Sequence, residues 1–408
     1  MPTLRLEKVL NGRLEELGRS GRLKGEESVI AGVVPARDGK GPRYLLQGHG
    51  DRAFLRMNSN GYLGLAFNAK VRAAEEEAVA RYGTGPGAVR FISGTWEPHV
   101  ALERRLAAFH GRPAAMLFSS AYASVMGILP PLITERTAVI SDELNHNCII
   151  NAIALARPAE KRIYRHLDME ELDRHLAEAA RSCSRAIIVT DGVFSMRGDH
   201  APLQRTHEIV DRYDPAFAEN ALLVVDDSHG VGALGATGRG TEEVTRAGAA
   251  DLLVATLGKA FGVNGGYVAG SETVIRFLRE TSPFYVYSNP ITPAEAAAAL
   301  AAVDIVDGPD GAALLAHLRA MTQRFRRGLV DLGLETLAGE HPVVPLMVRD
   351  TERTSRIVAH LRDEGILATG LNFPVVPKGD EEIRFQISAD HTTADIDQAL
   401  AVLRRMPQ

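Results

Sequence analysis

Five polar side chains stand at or just beyond the ends of apolar runs. They are His146 after TAVISDELN, Ser195 closing AIIVTDGVFS, Asp226 and His229 in LLVVDDSH, and Lys259 after DLLVATLG. A lysine amine can form a Schiff base with an aldehyde, and a carboxylate can keep a pyridine nitrogen protonated so that the ring acts as an electron sink. Histidine and serine can hydrogen-bond a phenolate oxygen. Together these are the demands of pyridoxal phosphate, which also needs N–H donors for its phosphate, often at a helix start. Thr256, three residues before Lys259, is placed to donate to that phosphate, and the small residues of TLGKAFG leave room for a flat ring. Each residue alone has a plainer use: an Asp caps a helix, a His sits satisfied in a core, a Lys is solvated. Their convergence carries the reading, because ligands of open α/β sheets bind at the carboxyl ends of the strands.

The elements that must position these groups are legible as alternation. The runs AAMLFSS (114–120), TAVISDE (137–143), RAIIVTDGVFS (185–195), ALLVVDDSHG (221–230) and DLLVATLGK (251–259) are uniformly apolar, as suits strands covered on both faces of a parallel sheet. Amphipathic segments separate them. DMEELDRHLAEAARS, for instance, offers Asp168 as N-cap and Leu172, Leu176 and Ala179 on one face. This alternation predicts an α/β core with right-handed crossovers. Residues 1 to about 25 read as a helix, followed by a small hairpin. Beyond about residue 290, TPAEAAAALAAVDIV leads to a second group with short strands near PVVPLMVRD and EIRFQISA and helices at 351–365 and 393–405. The organisation expected is an N-terminal arm over 1–57, a large cofactor domain over 58–292 and a small α+β domain over 293–408.

One rival reading is visible. Gly230, Gly232 and Gly235 spell GxGxxG shortly after a strand, nominally a dinucleotide fingerprint. Four residues separate the strand from the first glycine, the segment continues as GATGRG rather than opening a helix, and the next strand leads to Lys259 instead of an acid. Composition excludes other classes. The 408 residues are 45% hydrophobic and 24% charged with net charge −5, which predicts a globular protein that recruits neither nucleic acid nor an anionic membrane. Cys148 and Cys183 form no disulfide framework or metal spacing. The opening MPTLRLEKVLNGRLEEL lacks a signal peptide's apolar core, and no apolar run is long enough to span a bilayer, so a cytoplasmic protein is expected.

From about Asn58 to the C-terminus the chain resembles the α-oxoamine synthases, pyridoxal phosphate enzymes that join an amino acid to an acyl group. The segments NSNGYLGL, GAVRFISGT, AVISDELNHNCII, TDGVFSMRGD, VDDSHGVGALGATGRG, TLGKAFG and FPVVPKGDEEIRFQISADHT carry the resemblance. Within the family they look most like glycine C-acetyltransferase (2-amino-3-ketobutyrate CoA ligase), with the synthases of 8-amino-7-oxononanoate, 5-aminolevulinate and 3-ketosphinganine more distant. The resemblance implies fold-type I: a large α/β domain with a seven-stranded, mainly parallel sheet, a smaller α+β C-terminal domain, and a homodimer with sites at the interface. Lys259 would be the Schiff-base lysine and proton shuttle, Asp226 the partner of the pyridine nitrogen, and His229 and Ser195 the contacts of the ring oxygen. His146 would stack on the ring. The amides of Ala121 and Tyr122, in the SSAY segment, would bind phosphate with Thr256, and Ser288 and Asn289 would reach the phosphate of the partner subunit. Arg384 would clamp the carboxylate of the amino acid and Asn60 would lie near it. The substrates implied are an amino acid, glycine or another small one, and an acyl thioester of the coenzyme A type. An aldolase, an aminotransferase or a synthase with a different acyl donor would use the same core. Ala121, Tyr122 and Ala123 replace the acetyltransferase's C-F-D, a change at the rim of the cofactor.

Overall fold

The computed structural model describes residues 2–20, 22–23, 27–373 and 375–406. Gly21 and residues 24–25 of the expected first helix, and Pro374 of FPVVPKG, lie outside the described residues. The backbone divides into two compact units. The larger comprises Asn60–Ala320 with Ala338–Pro342, and the other comprises Met1–Ser59, Met321–Leu337 and Val343–Gln408.

The larger unit is built on a seven-stranded sheet. Its strands, in chain order, are β1 (Ala114–Phe118), β2 (Thr137–Asp142), β3 (Glu160–Tyr164), β4 (Arg185–Asp191), β5 (Asn220–Asp226), β6 (Leu252–Thr256) and β7 (Gly266–Gly270). Their order across the sheet is β1-β7-β6-β5-β4-β2-β3. Only β7 runs antiparallel to its neighbours; the other pairings are parallel. Alternate side chains feed two separate cores. Ile187, Val189, Val224 and Val254 pack with helices α1 (Ala121–Leu132) and α2 (Asn147–Ala156), while Ala186, Ile188, Leu223 and Val225 pack with the helices Met169–Ala179 and Leu203–Tyr213. Burial on both faces explains why these strands read as continuous apolar runs. Two strands were not expected. β3 (EKRIY) is an edge strand with alternating burial, and β7 (GYVAG) is short and bounded by glycine.

The helix Met169–Ala179 begins as its sequence predicts: Asp168 Oδ1 accepts Glu171 N–H at 2.9 Å, with Leu172, Leu176 and Ala179 buried. The helix Pro293–Val306 is capped by Thr292 and Glu295 and packs on the helices Ala69–Tyr82 and Glu97–Phe109, within the larger unit. In the other unit residues 43–57 join the C-terminal part of the chain. Strand Ala53–Arg56 pairs in parallel with Ile366–Leu367, Met57 C=O accepts Gln386 N–H at 2.8 Å, and Arg43 bonds the buried carboxylate of Asp395 at 2.5 Å. A three-stranded sheet there holds Val343–Met347, Glu382–Gln386 and Thr369–Leu371.

An ion cluster ties the carboxyl ends of β2 and β3 to the loop after β4. His166 Nδ1 lies 3.1 Å from Asp142 Oδ1, its Nε2 lies 3.2 Å from Asp199 Oδ2, and Arg197 also bonds Asp199. Burial disfavours the imidazolium, but hydrogen bonds and charge from both aspartates outweigh it and push the pKa up to about 9. Because the folded pKa is the higher one, the contribution is complete below about pH 6.5 and disappears as pH rises through about 9. The His166→Leu variant should therefore be less stable than the parent by on the order of 2 kcal/mol near pH 6, and the gap should narrow toward pH 10. Thermal unfolding across that range checks this, and a gap independent of pH would count against the imidazolium.

Candidate active site

A cavity of about 260 Å³ opens at the carboxyl edge of the large sheet. Eight of the residues picked out in the sequence line it: Ala121, Tyr122, His146, Ser195, Asp226, His229, Thr256 and Lys259. Each comes from the end of a strand or the loop that follows. Asp226 is the last residue of β5, Thr256 the last of β6, and Lys259 sits in the tight turn that reverses the chain into β7. The turn is closed by Leu257 N–H to Gly265 C=O at 2.9 Å and Gly262 N–H to Lys259 C=O at 3.0 Å.

Donors surround Asp226. Ser228 N–H and Oγ–H reach its Oδ1 at 3.1 and 2.5 Å, and Cys148 Sγ faces its Oδ2 at 3.7 Å. His146 is the N-cap of α2, where its Nδ1 accepts Cys148 N–H at 3.3 Å. Burial, with the charge of Lys259 adding and that of Asp226 opposing, holds His146 below the ordinary imidazole pKa, so it stands neutral. Burial and the nearby carboxyls push the Cys148 thiol up, and it stays protonated. His229 contacts Tyr62 Oη through Nδ1 at 2.7 Å, and Tyr62 in turn donates to Asn60 Oδ1 at 3.5 Å. Asn60 thus stands one residue behind the cavity wall.

The start of α1 is prepared for an anion. Ser120 Oγ, the N-cap, takes Ala123 N–H at 3.1 Å, which leaves the amides of Ala121 and Tyr122 as the helix's open donors. Gly266 lets β7 pass close behind them, for a Cβ there would lie 2.2 Å from Ala121 N. Thr256 Oγ1 donates to Gly265 C=O and accepts Gly258 N–H, both at 3.1 Å, so it must rotate to serve a phosphate. An amine, a carboxylate held by donors and a pair of helix-start amides around one cavity fit pyridoxal phosphate.

The remaining predicted residues lie elsewhere. Ser288 and Asn289 follow the short helix Pro283–Val286 and do not line the cavity. Arg384 lies on the strand Glu382–Gln386 of the other unit. Sequence reasoning missed Ser120, Cys148, Asp191, Val193 and Ser228 among the lining residues. Asp191 carried a usable signal: it closes its apolar run as Asp226 closes the next. It also missed His341, whose Nε2 bonds His229 C=O at 2.9 Å and which no sequence pattern announced.

The glycine-rich loop proves to be structural. Thr241 N–H and Oγ1–H bond the buried Asp227 carboxylate at 2.7 and 2.6 Å, and Glu243 accepts the amides of Ala236, Thr237 and Arg239. A Cβ at Gly230 would fall 2.0 Å from Asp227 Oδ1. Gly230 and Gly235 make room for side-chain carboxylates that already use the loop's donors, and Gly232 lies against Ala260.

Comparisons with known proteins agree with the site. The family model for aminotransferase class I and II matches residues 52–403. The chain is 40% identical over 402 residues to an 8-amino-7-oxononanoate synthase of Geobacter sulfurreducens, covering 98% of each. It is 38% identical over 399 residues to the human mitochondrial 2-amino-3-ketobutyrate coenzyme A ligase, covering 97% of this chain and 90% of the other. The two identities differ too little to set the acetyltransferase nearer, as the motifs had suggested. In structure it matches a Sphingomonas wittichii serine palmitoyltransferase with a TM-score of 0.86 at 25% identity, over 98% of this chain and 96% of that one. A serine palmitoyltransferase from S. paucimobilis, solved with bound PLP and myriocin, matches with a TM-score of 0.85, also at 25% identity and over 98% and 97% of the chains. The chain belongs to the aminotransferase class I and II family and, within it, to the α-oxoamine synthases, pyridoxal phosphate-dependent acyltransferases of fold-type I.

Proposed function

We propose that this chain joins a small amino acid, glycine or a near relative, to an acyl group delivered as a thioester of the coenzyme A type. The product is a 2-amino-3-oxo acid or, after loss of CO2, an α-amino ketone. The observation that carries this reading is the gathering of Lys259, Asp226, His146, His229 and Ser195 around one cavity beside a helix start with open amides.

Pyridoxal phosphate, when bound, supplies an electron-withdrawing ring that stabilises negative charge at the amino acid's α-carbon. Lys259 would provide the amine that holds the cofactor and would take the α-proton of the bound amino acid, which balances the proton carried away by the departing thiol. Asp226, fixed by Ser228, would pair with the ring nitrogen, His146 would cover the ring as a neutral imidazole, and His229 and Ser195 would serve the ring oxygen. The amides of Ala121 and Tyr122 and the hydroxyl of Thr256 hold phosphate. The α-carbon attacks the acyl carbonyl, a C–C bond forms, the C–S bond breaks and the thiol leaves with a proton. Arg384 clamps the amino acid's carboxylate, with Asn60 nearby.

The assembly proposed is a cytoplasmic homodimer in which Ser288 and Asn289 serve the phosphate of the partner subunit. Phe91, Ile92 and Tyr287, exposed by 66, 63 and 80%, form apolar surface that a second copy would cover. Among the described residues no helix is long and apolar enough to cross a membrane.

A matrix of amino acids against acyl thioesters, read by thiol release and product mass, should give turnover for a small amino acid with at least one thioester. Amino-group transfer to a keto acid with no thiol release in any combination would overturn the reading. The Arg384→Ala variant should raise the KM for the amino acid by roughly tenfold or more while cofactor affinity stays within about twofold. Equal losses in both would remove Arg384 from the carboxylate clamp.

A further inference from the structure

The cavity wall contains a second carboxyl for which the reaction above has no task. Asp191 ends β4, Asp226 ends β5, and the two are paired residues in the parallel register. Both are buried, 4 and 6% exposed, and both line the cavity. Neighbouring strands lie about 4.8 Å apart, and two carboxylates that close, shut away from water, resist ionising together. The surrounding donors decide which one keeps the charge. Asp226 receives two hydrogen bonds from Ser228 and faces the Cys148 thiol. Asp191 receives one, from His146 N–H to Oδ2 at 3.1 Å, and its buried Oδ1 has no partner among the described residues.

We propose that Asp191 is a positioning residue that stands in the site as an uncharged carboxyl, anchoring His146 through Oδ2 and leaving Asp226 as the sole carboxylate of this corner. The inference rests on Asp226 being the partner of the ring nitrogen. Its neighbours are consistent with it. Asp226 faces Asp191 from β5, His146 and Cys148 from the start of α2, Lys259 from the turn after β6, Asp142 from β2 and Tyr164 from β3. Burial raises the pKa of Asp191 well above the carboxylate range, Asp226 and Asp142 add to this, and Lys259 and the His146 amide oppose it.

The corner closes on itself. Asp191 holds His146 N–H, His146 Nδ1 lies 2.9 Å from Cys148 Sγ, Cys148 faces Asp226, and strand register returns to Asp191. Because Nδ1 accepts Cys148 N–H, the ring proton of neutral His146 sits on Nε2. A neutral isostere at position 191 therefore keeps everything the site uses: an acceptor for the His146 amide and no second charge. The same exchange at position 226 removes the only carboxylate.

The test compares holoenzymes of the parent, Asp191→Asn, Asp191→Ala and Asp226→Asn. The readouts are kcat/KM, the pH titration of the bound cofactor's visible absorption, and the infrared carbonyl band of a protonated carboxyl. Asp191→Asn should stay within about threefold of the parent in kcat/KM, leave the absorption titration in place and lose the carboxyl band. Asp191→Ala, which frees the His146 backbone, should lower kcat on the order of tenfold with little change in amino-acid KM. Asp226→Asn should lose more than about a hundredfold and shift the absorption titration. An Asp191→Asn enzyme as damaged as Asp226→Asn, or one that keeps the carboxyl band, overturns the inference alone. An Asp226→Asn enzyme indistinguishable from the parent overturns the assignment of Asp226, and the inference falls with it.

Discussion

A carboxylate at the end of a central strand, shut away from water, must be surrounded by donors or it gives up its charge. Much of the larger unit's architecture follows from meeting that condition at Asp226. The residue is the last of β5, so its side chain shares a face with Val224 and lies toward α1 and α2. Ser228 turns back to it in the loop that follows, and the first turn of α2 brings the Cys148 thiol against its other oxygen. Placing the start of α2 there also places His146, since its Nδ1 accepts the Cys148 amide. The position of the imidazole and the charge of the carboxylate are thus consequences of one local arrangement.

Asp227 faces the same demand on the opposite face, where burial outweighs its donors and pushes its pKa up to about 7. One residue further along the chain, it points away from the cavity and collects Thr241 N–H and Oγ1–H. Gly230, Gly192 and Gly240 crowd its carboxylate so closely that a Cβ at any of them would lie about 2 Å from an oxygen, at 2.0, 2.2 and 2.1 Å. Of the apparent nucleotide fingerprint, Gly230 thus belongs to the packing shell of a buried aspartate, while Gly235 packs against Glu243 and Gly232 against Ala260. The DD pair divides the labour by simple alternation of side chains, one carboxylate for the site and one for the loop that supports it.

This alternation accounts for what the sequence made legible. Strands covered on both faces leave continuous apolar runs, and the residue ending each run is at the sheet's carboxyl edge, so the sequence alone places Asp226, Thr256 and the approach to Lys259. β3 was hidden because an edge strand has one wet face and reads EKRIY. The membership of the helix Pro293–Val306 was hidden because an alanine-rich helix buried on most sides shows no polar face to say which neighbours cover it. Asp191 was overlooked beside Ser195, four residues on, because a hydroxyl near a strand end looks more like a ligand than the last residue of the strand. His341 and Ser120 act through backbone contacts and a cap, and neither leaves a periodic trace.

The contrast between the corner and the rim bears on substrate choice. At the corner, Asp191, His146, Cys148 and Asp226 hold one another, so a change that removes one of these contacts is felt by the others. At the rim, Tyr122 Oη donates to Asn147 Oδ1 at 3.0 Å and accepts Asn151 Nδ2–H at 2.6 Å. These side chains are exposed and bond chiefly among themselves, while the phosphate donors at Ala121 and Tyr122 are backbone amides that survive a change of side chain. Selection can vary Tyr122, Asn147 and Asn151 without altering the charge on Asp226 or the orientation of His146. Common chemistry with differing acyl groups is the division of labour that such a structure permits: the interlocked corner fixes how the α-carbon is activated, and the exposed rim is free to set what it meets.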